Sequence, residues 1–327
     1  MLATAGALAL LAATCVVLYW VGPLVHARDQ RSLLTAERAA ITQAASDNEG
    51  LHRAAVPTQP PQPGSVVGIL AIPSIGLHQA VVEGAGPSQT VSGPGHVPGT
   101  AGLGQPGNSA VVGRRAGYGG PFGQLQLLRP GDRVLTATTE GRSVYVVRSV
   151  RTVTMVTPTT AAVTSTTQTA ASGSTTTTVA STSSPGSRAA GTPASGSEHA
   201  GRGVPTVSAD VVLGPSTHDQ LTLLTSGSSL PWNTGRAIVV VARLRGKPYT
   251  PTPQGARSPS QEGNSGDPTA LAWLILAVLA LAVCFAGALS MYRRSTLRSA
   301  YILTTAPLLA FTVLAAEALS RLLPAWL

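Results

Sequence analysis

The sequence predicts a small all-β barrel or sandwich tied to a membrane by apolar helices. Three observations predict it. From Val66 onward, short β-branched runs are broken by Gly and Pro, the grammar of short strands and tight turns. Three apolar runs, Met1 to Val25, Thr269 to Tyr292 and Ala300 to Leu323, are long enough to cross a bilayer as helices. The stretch from Thr157 to Pro205 has almost no large apolar side chain to bury. Over 327 residues, aromatics are only 4% and charged residues 11%, while Gly (35) and Pro (25) are plentiful. That mixture describes spans, spacers and one modest folded unit rather than one ordinary globular domain.

The elements follow in chain order. Residues 1–25 predict an N-terminal transmembrane anchor; a cleaved signal peptide is the rival, because "VHA" precedes Arg28. The length of the run favours the anchor. Residues 26–65 predict a juxtamembrane helix, carrying mixed charges with Leu33, Leu34 and Ile41, and then a proline-rich spacer, "AVPTQPPQPG", that cannot continue it. Residues 66–247 predict the β domain. "GDRVLTATTEGRSVYVVRSVRTVTMV" reads as a hairpin with Glu140-Gly141 at its turn. A disordered Ser/Thr-rich insertion is expected at about 157–205, after which the domain resumes near Val207. Residues 248–268 read as a polar tether. Residues 269–292 and 299–323 predict two transmembrane helices.

Arg293, Arg294 and Arg298 sit in the short connector between those last two runs, which places it in the cytoplasm. Counting back across the span puts residues 28–268 outside the cell; counting forward puts the residues near Arg321 outside as well. The expected localisation is therefore a multi-pass cell-membrane protein with its main domain extracellular. Glu317, within two turns of the expected helix end, is read as reaching water or Arg321 rather than lining an ion path.

The formal charge of +9 is largely arginine, with Lys247 the only lysine. No stacking platform or recognition motif accompanies it, so nucleic acid is not an expected partner. The two cysteines, Cys15 and Cys284, both lie in apolar runs. The polar part of the chain thus has no disulfide, no thiol nucleophile and no cysteine metal site. No cofactor and no metal are expected.

The chemistry turns on "LTLLTSGSSLPWNTGRAIVVVARL", Leu221 to Leu244, two strands joined by a turn. Pairing them antiparallel brings Ser226 close to Arg236. An arginine there can hold a carboxylate or a developing oxyanion; spacing alone favours an ordinary surface arginine. Serine needs a base to attack a carbonyl. His218 and Asp219 lie about 25 Å away along an extended strand, Lys247 lies beyond the far end of the second strand, and His78 and His96 have no local link to Ser226. Standing alone, Ser226 reads as a turn serine.

The ordered series "GILAIPSIGL", "VVEG", "SGPGHVPGTA", "GNSAVVGRRAGYGGPFGQL", "GDRV" and "LTLLT...GRAIVVVARL" resembles a sortase, the membrane-anchored cysteine transpeptidases of Gram-positive surfaces, and looks closest to the actinobacterial class E type. The resemblance covers about Val66 to Val153 and Asp210 to Leu244. It implies a closed eight-stranded β-barrel. It also implies a catalytic cysteine in TLxTC, a histidine in a GHR run and an arginine opening the last strand. Here "TLLTS" puts Ser226 in the cysteine place, "VVGRR" puts Arg114 in the histidine place with Arg115 matching the following arginine, and Arg236 matches the catalytic arginine.

Both replacements are severe. Serine is almost fully protonated at neutral pH, where a thiol ionises readily. Arginine has no accepting nitrogen and does not give up its proton. The expectation is an inactive sortase-like binding or assembly module whose partners are a surface-protein sorting peptide or an anionic cell-wall component, and the membrane. The competing reading is an active transpeptidase or hydrolase with Ser226 as nucleophile, which requires a base within hydrogen-bond reach.

Overall fold

The computed structural model describes residues 26–44, 58–156, 205–228, 235–258, 266–294 and 297–326, with a few single residues between them. The expected anchor at 1–25 and the expected insertion at 157–205 fall almost wholly outside the described residues.

The strands are β1 (Val66–Ile72), β2 (Leu77–Glu83), β3 (Gly95–His96), β4 (Asn108–Val112), β5 (Arg133–Thr138), β6 (Gly141–Val156), β7 (Thr206–Ser208), β8 (Gln220–Ser226) and β9 (Arg236–Arg245). Eight of them close a ring: β5-β1-β2-β3-β4-β8-β9-β6, with β6 pairing back onto β5. Closure removes the unpaired strand edges of an open sheet. The ninth, β7, adds to the ring from outside, parallel to the end of β6. The structure is thus an eight-stranded closed barrel with one strand appended.

Local sequence explains the corners. Between β1 and β2, Pro73 opens a single 3-10 turn and Gly76 closes it at φ 63°, a left-handed conformation that favours glycine. The β5–β6 hairpin turns one residue earlier than the sequence suggests. Thr138 pairs with Gly141, so Thr139 and Glu140 form the turn and Gly141 already belongs to β6. β6 is long enough, at 16 residues, to serve two partners: its first part pairs with β5, and β9 follows it almost throughout, with a bulge at Arg148.

Side-chain alternation divides the apolar residues between two faces. One cluster contains Leu70, Val111, Phe122, Tyr145, Leu221, Leu223 and Val240 and fills the barrel. The residues between them, Ala110, Val112, Leu224, Ala237 and Val239, point to the outside of the β4–β8–β9 wall. That outer face is also covered. A short helix, α2 (Pro87–Ser92), follows β2, and Ala209 and Leu213 of α3 (Ala209–Leu213) pack on the outer face, as does Trp326.

A helix over residues 26–44, α1, docks on β2. Gln30 bridges the strand in both directions, accepting from the Ala80 N–H at 2.8 Å and donating to the Ala80 carbonyl. Residues 248–258 run along the barrel rather than swinging free: the Tyr249 hydroxyl donates to the Arg142 carbonyl at 2.8 Å, and the Thr252 N–H to Gln105 Oε1.

Two long helices follow, α4 (Ala270–Arg294) and α5 (Leu297–Leu322). Within α4, Ala270–Ala288 has mean hydropathy 2.6 and is long and apolar enough to cross a membrane. It is the one such helix among the described residues. Its exposed side chains include Leu271, Trp273, Ile275, Leu276, Leu279 and Val283, an outward face with no polar coat. Glu317 of α5 accepts from Arg321 at 2.6 Å, one turn on, as the sequence expects.

Candidate active site

Three strand ends build the site: the end of β4, the end of β8 and the start of β9. β4 and β8 run parallel with Val112 opposite Leu224. The ladder continues one step further, because the Gly113 N–H donates to the Leu224 carbonyl at 3.0 Å and the Thr225 hydroxyl donates to the Gly113 carbonyl at 2.8 Å. Extending that register by one more residue sets Arg114 level with Ser226. Both follow the even-numbered residues of their strands, so both belong to the outer face of the wall.

Gly113 is required at this crossing. A Cβ there would lie 2.5 Å from the Phe122 ring. The ring sits in the barrel core, and the Phe122 N–H donates back to the Arg114 carbonyl at 2.9 Å. The loop between them carries Tyr118 at φ 42°, a left-handed position without a glycine, which costs roughly 1–2 kcal/mol. Strain held at one point marks it as worth explaining. What Tyr118 gains is a buried seat, its ring 5.3 Å from the Arg114 guanidinium carbon and its hydroxyl donating to Ser320 Oγ at 2.9 Å.

Arg114 is 2% exposed. Its Nη2 donates to the Pro87 carbonyl at 3.0 Å and to the Ser320 carbonyl at 3.3 Å, and its Nε finds no acceptor among the described residues. Burial pulls its pKa down to about 10, while the electrostatic effect of Tyr118 acts in the opposite direction. At neutral pH the side chain is still a cation. It has protons to donate and no lone pair with which to take one up.

Ser226 is 0% exposed. Its hydroxyl donates to the Ser228 carbonyl at 2.7 Å and accepts the Ser228 N–H at 3.2 Å. Both its proton and a lone pair are therefore engaged in a local turn. No base hydrogen-bonds to it among the described residues. His96 is engaged elsewhere, 2.8 Å from Glu83 Oε2 through Nδ1 and 2.9 Å from the Ala101 carbonyl through Nε2. Lys247 is exposed beyond the end of β9. His218 and Asp219 precede the start of β8, at the opposite end of that strand from Ser226.

Arg236 differs from the cleft partner that strand pairing suggests. Its backbone is adjacent, since the Gly227 N–H donates to the Arg236 carbonyl at 2.7 Å. Yet Ser226 stands opposite Ala237, and alternation sends the neighbouring Arg236 side chain to the other face of the wall. Arg236 is exposed, with no ion pair to a described residue. Arg115 is the arginine that reaches the serine's backbone: its Nη1 donates to the Ser226 carbonyl at 3.3 Å. Ser226 and Arg114 are thus brought together, and Arg236 adjoins them by backbone only.

Sequence reasoning missed Tyr118, Ser320 and Trp326. The Trp326 carbonyl accepts from the Arg115 N–H at 2.9 Å, from the Ser226 N–H at 3.4 Å and from the Thr225 hydroxyl at 3.4 Å. No local pattern links residues so distant in the chain. Among the described residues, no group of three or more His, Cys, Asp or Glu side chains is placed to hold a metal ion.

A family model, the sortase domain, matches residues 70–245. The chain belongs to the sortase family. No curated protein is significantly similar to it in sequence. Among solved structures, a Clostridium perfringens sortase D5 transpeptidase is 14% identical, with 67% of this chain and 99% of that chain covered and a TM-score of 0.43. Sortase E from Streptomyces avermitilis is 24% identical, with 57% and 91% covered and a TM-score of 0.35. The sortase A of Listeria monocytogenes is 16% identical, with 57% and 91% covered and a TM-score of 0.34.

Proposed function

We propose that this sortase-family chain is a class E-like, catalytically inactive member: a membrane-anchored cell-surface module that binds peptide in the groove beside Ser226. One observation carries the reading. The Ser226 hydroxyl is closed into a turn with Ser228, and the side chain beside it in register is a buried cation. Acyl transfer needs a nucleophile that loses a proton and a neighbour that receives it and returns it to the leaving group. Ser226 and Arg114 supply neither half. Arg236 keeps its family residue type but points away from Ser226.

Peptide binding is supported by what remains. The wall carries backbone donors at Arg115 and Ser226, both taken by the Trp326 carbonyl in this structure, an apolar floor of Val112, Leu224 and Ala237, and arginines at 114 and 115. An extended surface-protein tail suits the donors and the floor; an anionic wall polymer suits the charge alone. The placement at the membrane draws on α4 and on the arginine-rich connector after it, which favours a cytoplasmic turn. The Asp267 N–H donates to the Arg321 carbonyl, so the start of α4 and the end of α5 lie together. An extracellular β domain on a multi-pass chain is the arrangement this supports.

The test presents the full chain with a library of surface-protein tail peptides and records both capture and acyl transfer. Whatever peptide the native chain captures is expected to yield no acyl product. The Ser226→Cys, Arg114→His double variant should acquire detectable transfer. A covalent acyl adduct on Ser226 of the native chain would overturn the reading in favour of a serine transpeptidase or hydrolase.

A further inference from the structure

The face beside Ser226 is covered by residues 320–326 of the same chain. Trp326 is 0% exposed and lies in the apolar cluster on the outer wall, with Ala85, Val97, Val112, Leu224 and Ala237. Its carbonyl takes the Arg115 and Ser226 N–H groups, and its own N–H donates to the Gly263 carbonyl at 3.1 Å. One turn inside α5, the Ser320 carbonyl takes Arg114 Nη2 and the Ser320 hydroxyl takes Tyr118. The Arg115 and Ser226 N–H groups, and one of the two bonds from Arg114 Nη2, therefore go to residues 320–326. Backbone bonds to a strand end, with one large side chain in an apolar recess, are how extended peptides are bound generally.

We propose that residues 320–326 are an intramolecular ligand of the groove, a strap that excludes external peptide, and that the groove's ligand class is an extended apolar peptide with an aromatic side chain at the place of Trp326. The exclusion rests on the peptide-binding reading above; the strap itself does not. Two features make the strap displaceable. The Trp326 Nε1 and the Arg114 Nε are both buried with no acceptor among the described residues, so the fit is incomplete. Residues 323–326 also lie beyond α5, and their hydrogen bonds to the strand ends converge on one carbonyl, that of Trp326, rather than forming a ladder. Tethering nevertheless gives the strap a local concentration on the order of millimolar, which an external peptide must overcome. Since the strap continues from α5, and α5 is tied to the start of α4 at Arg321, any shift of the helix pair would pull on it.

The test uses the full chain in lipid nanodiscs and needs no substrate for its first part. Hydrogen exchange should find the Arg115 and Ser226 amides protected. Trp326→Ala should speed exchange at those two positions at least ~10-fold and leave Leu223 and Val240 protected. A synthetic peptide with the sequence of residues 319–327, added to that variant, should restore the protection, which also shows that the barrel is folded. Trp326→Phe, with a smaller truncation, should give an intermediate acceleration. Unchanged exchange at Arg115 and Ser226 in both variants would overturn the strap. The second part measures capture of the same fluorescent peptide. Capture at least ~10-fold tighter by Trp326→Ala than by the native chain supports exclusion; equal capture by the two overturns it. Faster exchange with no capture of any peptide upholds the strap and removes the peptide-binding reading.

Discussion

Two buried polar sites on neighbouring strands are built differently. At the β2–β3 contact, His96 and Glu83 are each 1% exposed and face one another at 2.8 Å. The Ala101 carbonyl can only accept, so the proton on His96 Nε2 is assigned by its partner. At the β4 end, Arg114 is equally buried but has only carbonyls and the Tyr118 ring as partners. The first site is a closed pair, and removing one member strands the other. The second is a lone cation held by neutral dipoles, whose removal strands nothing charged. Arginine at position 114 thus carries a charge without a means of taking up a proton.

The comparison breaks most sharply at His96. His96→Ala leaves the Glu83 carboxylate buried without its partner, and one Glu83 oxygen already lacks one. A loss of about 3–5 kcal/mol is expected, read by chemical denaturation of the full chain in detergent. Arg114→Met should change stability by no more than about 1 kcal/mol, because relief from burying the cation offsets the lost hydrogen bonds. If the two variants lose stability equally, the Arg114 environment is stabilising in a way its neutral partners do not explain.

Gly113→Ala sharpens the comparison from the backbone side. The added methyl meets the Phe122 ring at 2.5 Å, and the ring is fixed in the barrel core. Overpacking of this kind costs about 1–3 kcal/mol, so the expected loss lies between those of the two charge variants. The same thermal or chemical unfolding measurement ranks all three.

What could be read from sequence follows the range of the interactions. Strand alternation and Gly/Pro punctuation are local, so "AIPSIGL" gives away its turn and "VVGRR" gives away the strand end that carries Arg114. The order of those pieces identifies the family. The hairpin turn differs from the sequence reading by one residue because Glu140-Gly141 is the better turn dipeptide, whereas the pairing of Thr138 with Gly141 sets the register. Arg236 shows a related limit: adjacency of strands fixes backbone proximity, and only the register decides which face a side chain takes. Trp326 was illegible. Its place beside Ser226 depends on how α5 returns to the barrel, and within its own stretch it looks like one more residue of an apolar run.

The smallest expected effect contrasts these sites with two carboxyls at the barrel edge. Burial raises the pKa of Glu37, and burial raises that of Glu140 against the opposing hydrogen bond from Gln105. A carboxyl whose folded pKa lies above its unfolded value of 4.5 binds its proton more tightly in the folded chain. Its contribution is therefore fully present below 4.5 and is lost as pH rises through the raised value. Acidification from neutrality toward pH 4.5 should make these two groups favour folding, the reverse of a carboxylate held ionised by a cation. Glu140→Gln removes one of them while keeping an acceptor for Gln105. The melting temperature of that variant should rise less on acidification than that of the native chain, by under about 2 °C. An identical pH profile for the two chains would mean that Glu140 is solvated well enough to titrate as it does unfolded.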